Sequence, residues 1–151
     1  MTEEIETAIA TVERQLGVLL ETVRVSLRDH AERMHPELLP TGYKVVGLLV
    51  RRGPLHPGAV ADRLSADKSL VSRTVKQLEE LGLLTREPDP ADRRACFLVA
   101  TPEAVRRFDE ISAADQRALD ERLRDWDQEE MSEFGRLLAK LNQSFAQGGQ
   151  A

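Results

Sequence analysis

Pro57 to Thr101 constrains the fold more than any other stretch, because two helical patterns split by a short break run straight into a strand, a charged turn and a second strand. The run PGAVADRL at 57–64 spells a short helix with Val60 and Leu64 on one face and small Ala61 where a second helix can come close. Ser65-Ala66-Asp67 breaks it, and Asp67 stands where a carboxylate can accept from the free amides of the next helix. In KSLVSRTVKQLEELG, at 68–82, Val71, Val75, Leu78 and Leu81 recur at helical spacing and predict one buried stripe. The opposite face carries Lys68, Ser69, Ser72, Arg73 and Lys76, with Leu70 in the same front turns; such side chains can contact base edges and phosphates. Glu79 and Glu80 come only later.

A short helix, a three-residue turn and a longer helix with a polar front half form the helix-turn-helix arrangement, whose second helix enters the major groove of DNA. An ordinary amphipathic helix with a solvated charged face has the same periodicity, so the pattern leaves both readings open until the next residues are added. Gly82 closes the helix. Leu83-Leu84-Thr85-Arg86 then reads as a strand and Ala95 to Ala100 as its hairpin partner. Between them EPDPADRR, with two prolines and three acids, will not pack into a core. It reads as an exposed turn, and it holds Arg93 and Arg94 towards solvent. A hairpin placed after such a helix pair is a wing.

The charge pattern agrees once it is split by position. The net charge of −5 is wrong for a DNA reader on average, but residues 44–107 carry 12 Lys and Arg against 8 Asp and Glu, and the flanks carry 9 against 18. A basic middle between acidic ends directs positive potential to one part of the surface.

The run DRRACFLVAT resembles the Asp-x-Arg-x-x-x-Leu-x-Leu-Thr signature of the MarR (multiple antibiotic resistance regulator) family of bacterial transcription factors. Asp92, Arg94, Leu98 and Thr101 stand in place, and Ala100 replaces the usual Leu, which trims one core side chain. VSRTVKQLEELGLLTR is similar to that family's recognition helix and first wing strand, and the likeness extends in outline from the first helix to Phe145. The resemblance implies a mainly α fold with a small β-hairpin wing: a winged helix-turn-helix with long terminal dimerisation helices. It implies a homodimer that binds double-stranded DNA at a palindromic operator, usually as a repressor, and is released by a small-molecule effector or an oxidant. It also suggests that Asp92 pairs with Arg94 and fixes its approach to DNA; the alternative is that Asp92 only caps the turn. An effector is expected where the dimer helices meet the reading segment, lined by His30, Tyr43, Leu48 and Phe108.

The remaining chain supplies long amphipathic helices. Ile5, Ile9, Val12, Leu16, Leu19, Val23 and Leu27 repeat every three or four residues in a first helix running to about Met34. Thr41 can cap a second helix, apolar nearly all round and therefore expected in the middle of the fold, which Gly53-Pro54 stops. Thr101-Pro102-Glu103 starts another, with a hydroxyl cap, a proline in the first turn and an acid against the helix dipole. Its apolar face is Val105, Phe108, Ile111, Leu119 and Leu123. A last helix from about Asp127 carries Met131, Phe134, Leu138, Leu141 and Phe145, and QGGQA is expected to fray. A reading segment of about 45 residues is too small to cover these stripes, so pairing with a second copy is the simplest solution; a monomer folding the long helices on themselves remains the other. The interface is expected at Ile5, Ile9, Val12, Leu123, Trp126, Met131, Phe134, Leu138, Leu141 and Phe145. The organisation is thus one domain, 1–151, with dimerisation helices at 1–35 and 102–146 and the DNA-binding region at 41–101.

Other chemistries find little footing. No apolar run approaches the roughly 18 residues of a membrane span and MTEEIE is the opposite of a basic signal peptide, so a cytoplasmic protein is expected. His30 and His35 with Glu32 and Glu37 match no common metal spacing and read as a polar helix end, so no metal or cofactor is expected. Cys96, the single cysteine, shares strand parity with Leu98 and Ala100 and is expected to be buried and inert rather than a redox sensor. No phosphate loop, nucleophile elbow or hydrolase metal pair is present, which argues against an enzyme. The competing function is a winged-helix adaptor that docks on protein instead of an operator.

Overall fold

A computed structural model describes residues 2–148. Contacts divide them into two units that meet at Ile111, and each is described by itself. The first holds α1 (Glu3–Met34), α2 (Pro40–Arg52), α3 (Pro57–Leu64), α4 (Lys68–Glu80), β1 (Leu84–Asp89), β2 (Asp92–Ala100) and the beginning of α5 (Pro102–Arg122). The second holds the remainder of α5 and α6 (Gln128–Gly148).

The core of the first unit is built around α2, as its apolar composition requires. Tyr43, Val45, Val46 and Leu49 of α2 are buried with Met34, Val60, Val71, Val75, Leu78, Leu83, Leu84, Leu98, Phe108 and Ile111. Each large apolar side chain taken from water contributes about 1.5–3 kcal/mol, so this cluster fixes the reading elements on one base. Phe108 reaches α2 because position 47 has no side chain: a Cβ at Gly47 would lie 2.9 Å from Phe108 Cε2. The α4 stripe is buried as its spacing predicts, and Leu81 closes it half-buried. Gly82, at φ 72°, then turns the chain, its N–H bonding to Glu79 O at 3.1 Å while the N–H of Leu83 reaches back to Leu78 O at 2.9 Å. This is the paired-bond stop that a left-handed residue after a helix permits, and it delivers Leu83 and Leu84 straight into the core.

β1 and β2 pair antiparallel from Leu84↔Ala100 to Asp89↔Asp92, with the register shifting between Pro88 and Asp89. On the other edge of β2, Leu55 and Leu98 exchange both main-chain bonds, at 3.2 and 2.8 Å. In the second unit, Asp127 and Glu130 cap α6 reciprocally through bonds of 3.0 and 2.8 Å to each other's main-chain N–H groups. Trp126 meets Phe134 edge-on at 5.6 Å between ring centroids.

Several local expectations are corrected. The wing strands are longer than Leu83–Arg86 and Ala95–Ala100: pairing continues to Asp89 and Asp92, leaving only Pro90 and Ala91 as the turn. Pro88 is accommodated because β1 is an edge strand, where a missing N–H can face away from the ladder. α2 is capped at Leu39, not Thr41, since Pro40 takes the first helical position, where its missing donor costs nothing. Asp67 occupies the N-cap of α4 but its carboxylate makes no capping bond. On α5, Leu119 is exposed rather than on a buried face, and Ala104 is buried instead. Cys96 is half-buried, because the outer half of the wing has only one covered face. α6 continues to Gly148, and the rest of the expected fray lies outside the described residues.

Candidate nucleic-acid interface

α4 is held by one face and presents the other. With Val71, Thr74, Val75 and Leu78 buried, Lys68, Ser69, Ser72, Arg73 and Lys76 are exposed and Leu70 is half-buried, as helical geometry dictates. The buried Thr74 hydroxyl donates to Leu70 O at 2.8 Å, so no polar group is stranded beneath the exposed face. Two further contacts set how the helix is rolled and what stands beside it. Gln77 Nε2 donates to Glu37 O at 2.9 Å, tying α4 to the α1–α2 connection. Arg86 Nε lies 3.0 Å from Glu79 Oε1, bracing β1 against the rear half of α4. That hydrogen bond, more than anything else around it, raises the Arg86 pKa above its ordinary value. A hollow of about 210 Å³ separates the front of α4 from the start of α3 and the wing, lined by Pro57, Gly58, Lys68, Val71, Ser72 and Arg86.

The wing tip is shaped by two aspartates. Asp89 Oδ1 accepts the Ala91 N–H at 2.8 Å and Asp92 Oδ1 accepts the Arg94 N–H at 2.9 Å. The expected Asp92–Arg94 ion pair is therefore corrected: Asp92 bonds the main chain of Arg94, which is the turn-capping alternative, and leaves the guanidinium to solvent. Arg93 and Arg94 are exposed.

Some cations of the chain are neutralised within their own helix, and others, on this surface and away from it, are not. Arg24, Arg33, Arg106, Arg107 and Arg136 each bind a carboxylate on their own helix. Lys68, Arg73 and Lys76 on α4, and Arg93 and Arg94 on the wing, have no carboxylate in ion-pair contact among the described residues. Cations not neutralised by the protein itself remain available to phosphates.

The expected effector residues are brought together in part. His30 and Tyr43 rings lie 5.2 Å apart and Tyr43 and Phe108 rings 5.5 Å apart, a run of three neighbouring rings. Leu48 follows Tyr43 by five helical positions, about 140° round α2, and does not share that face. Arg51, which the sequence did not single out, places its guanidinium 5.3 Å over the Phe108 ring. The residues expected at a dimer interface lie open along the single chain: Ile5, Ile9, Val12, Trp126, Met131, Phe134, Leu138 and Phe145 are 39–67 % exposed, while Leu123 and Leu141 are half-buried. Among the described residues no group of His, Cys, Asp and Glu is placed to hold a metal ion, and no helix is long and apolar enough to cross a membrane.

Glu79, Arg86 and Gln77 escaped sequence reasoning because each looked like a surface charge or amide; only their partners, up to 40 residues away, give them work. His56 escaped for the same reason.

Known proteins carry the same arrangement. The sequence pattern of the MarR family matches residues 38–95. The HTH-type transcriptional repressor MdtR of Bacillus subtilis is 27% identical over 135 residues, covering 83% of this chain and 87% of that one. The HTH-type transcriptional regulator YkoM of the same organism is 31% identical over 104 residues, covering 66% and 68%. FabT of Streptococcus pneumoniae, solved in complex with DNA, superimposes with a TM-score of 0.80 at 15% identity over 92% of this chain and 98% of that one. The family pattern and these relatives, set on the helix pair and wing described above, show that the chain belongs to the MarR family of winged helix-turn-helix transcriptional regulators, a family of regulators and not of enzymes.

Proposed function

We propose that this protein is a cytoplasmic transcriptional repressor that binds a palindromic operator as a homodimer and is released by a small molecule. The observation that carries the reading is the placement of Lys68, Arg73 and Lys76 on the exposed face of the second helix of a helix-turn-helix, with Arg93 and Arg94 exposed on the hairpin that follows it. A structural neighbour of the same fold solved in complex with DNA supports DNA as the partner. In this reading, Lys68, Ser69, Leu70, Ser72, Arg73 and Lys76 meet the major groove, and Asp92, Arg93 and Arg94 form the wing contact. Residues 41–101 read DNA, while the helices at 1–35 and 102–146 pair two copies, covering Ile5, Phe134, Leu138 and the other open apolar residues. An effector binds beside the His30–Tyr43–Phe108 rings and prefers the state that cannot hold DNA, since only such a difference in affinity releases an operator.

A two-fold dimer presents its reading helices about one DNA turn apart, roughly 10 base pairs between half-site centres. Inserting about five base pairs turns one half-site to the opposite side of the duplex and should abolish tight binding in a gel-shift titration. Equal affinity for the parent and spaced sites would show that the two copies do not read together. For release, Tyr43→Ala should abolish the response to any ligand that frees the operator; an unchanged response would move the effector elsewhere.

A further inference from the structure

We propose that His56 is the positioning residue of the wing, holding the tip at a fixed angle to α3 and α4 so that Arg93 and Arg94 meet DNA already in place. This rests on the DNA-binding reading above.

His56 occupies the N-cap of α3, yet its side chain makes no capping bond. The ring is turned to the wing instead. Nε2 lies 3.2 Å from Asp89 Oδ2 on β1, Nδ1 lies 3.1 Å from Cys96 O on β2, and the ring stacks on Phe97 with centroids 4.3 Å apart. Both facing atoms are acceptors. The Nδ1–H tautomer donates to Cys96 O, and Nε2 stands at ion-pair distance from the Asp89 carboxylate. One side chain thus grips both wing strands.

Asp89 makes that grip effective at the tip. Its side chain is only 11% exposed, and its second oxygen accepts the Ala91 N–H, so a single carboxylate closes the wing turn and joins it to the body. The main-chain bonds of Leu55 with Leu98 and the Arg86–Glu79 pair hold the inner part of the wing. His56 adds the outer attachment. Asp89, Asp92, Arg94 and Cys96 surround the same hollow as the ring, which places the DNA-facing arginine beside the clamp.

The experiment measures affinity for an operator-bearing and an unrelated duplex with the full chain, His56→Ala, His56→Gln and Asp89→Asn. Freeing the tip means ordering it again on each binding event, so His56→Ala should weaken both duplexes by about tenfold. His56→Gln keeps one amide donor for Asp89 and should recover part of the loss. Asp89→Asn preserves the acceptor of the turn but removes the charge, and should resemble His56→Ala. The decisive comparison is the Arg93→Ala/Arg94→Ala background, where no cation is left at the wing tip to position and His56→Ala should cost nothing more. A role in general stability would instead cost the same in both backgrounds. Should His56→Ala fail to fold, His56→Gln and Asp89→Asn carry the same comparison. Equal losses in the two backgrounds, or less than a twofold loss in every variant, overturns the role of His56. An unaltered chain that binds neither duplex overturns the DNA-binding reading itself, and the role of His56 with it.

Discussion

Replacing Arg94 by alanine separates the work of the wing from that of the helix. Arg94 is exposed, its guanidinium has no carboxylate partner among the described residues, and Asp92 bonds only its main-chain N–H. It therefore approaches a duplex as an uncompensated charge. Each neutralised phosphate contributes about 0.9 to the slope of log affinity against log salt, so a dimer losing two such contacts should flatten that slope by about 1.8. Between 50 and 200 mM salt, a difference of that size changes affinity by roughly tenfold, well above the error of a fluorescence-anisotropy titration. The loss should be alike on operator and unrelated duplexes, because phosphates carry no sequence. Arg73 stands in the front half of α4, where a bidentate contact to guanine is worth about 1–3 kcal/mol in discrimination. Arg73→Ala should accordingly hurt the operator selectively. An Arg94→Ala variant that spares unrelated DNA, or an Arg73→Ala variant that weakens both duplexes equally, would show that the roles of helix and wing have been exchanged.

Three further outcomes are expected. Gly47→Ala gains up to about 1 kcal/mol of helix propensity but drives a Cβ to 2.9 Å from buried Phe108, so it should lower stability in denaturant unfolding by about 1–3 kcal/mol net; an unchanged midpoint would mean that the ring yields freely. Phe134→Asp with Leu138→Asp places two charges on an open apolar face of α6 and should give a folded monomer by light scattering, whereas a persistent dimer would place the interface elsewhere. Arg106 and then Arg107 hold the Glu103 carboxyl down to about 2, so its contribution to stability is complete above the ordinary carboxylate pKa and is lost as pH falls towards 2; a carboxyl NMR titration with its midpoint at the ordinary value would contradict the pairing.

The elements that proved readable from sequence are those whose signal is local. Val71, Val75 and Leu78 announce a buried stripe by spacing alone, Gly82 announces a left-handed stop, and Thr101-Pro102-Glu103 announces α5, where the Thr101 hydroxyl does accept the Ala104 N–H at 3.2 Å. The reach of the wing strands was not readable, because Pro88 argues against a strand unless one knows that it lies on an edge. The capping bond expected of Asp67 rested on residue preference, and preference does not say which rotamer the surroundings favour. Contacts such as Gln77 to Glu37 and His56 to Asp89 carry no periodicity, since they join side chains that only the finished fold brings together. The same limit applied to Leu48, whose apolar character suited a pocket although its place on α2 turns it away from Tyr43.

The open apolar residues along α1 and α6 bear on dosage. If two copies pair as proposed, taking Ile5, Val12, Phe134 and Phe145 out of water, the DNA-competent population follows mass action in the chain itself. Below the pairing constant, operator occupancy then rises with the square of protomer concentration, so that halving expression lowers it about fourfold. The cell can thus set the threshold of this regulator through copy number, before any ligand is involved.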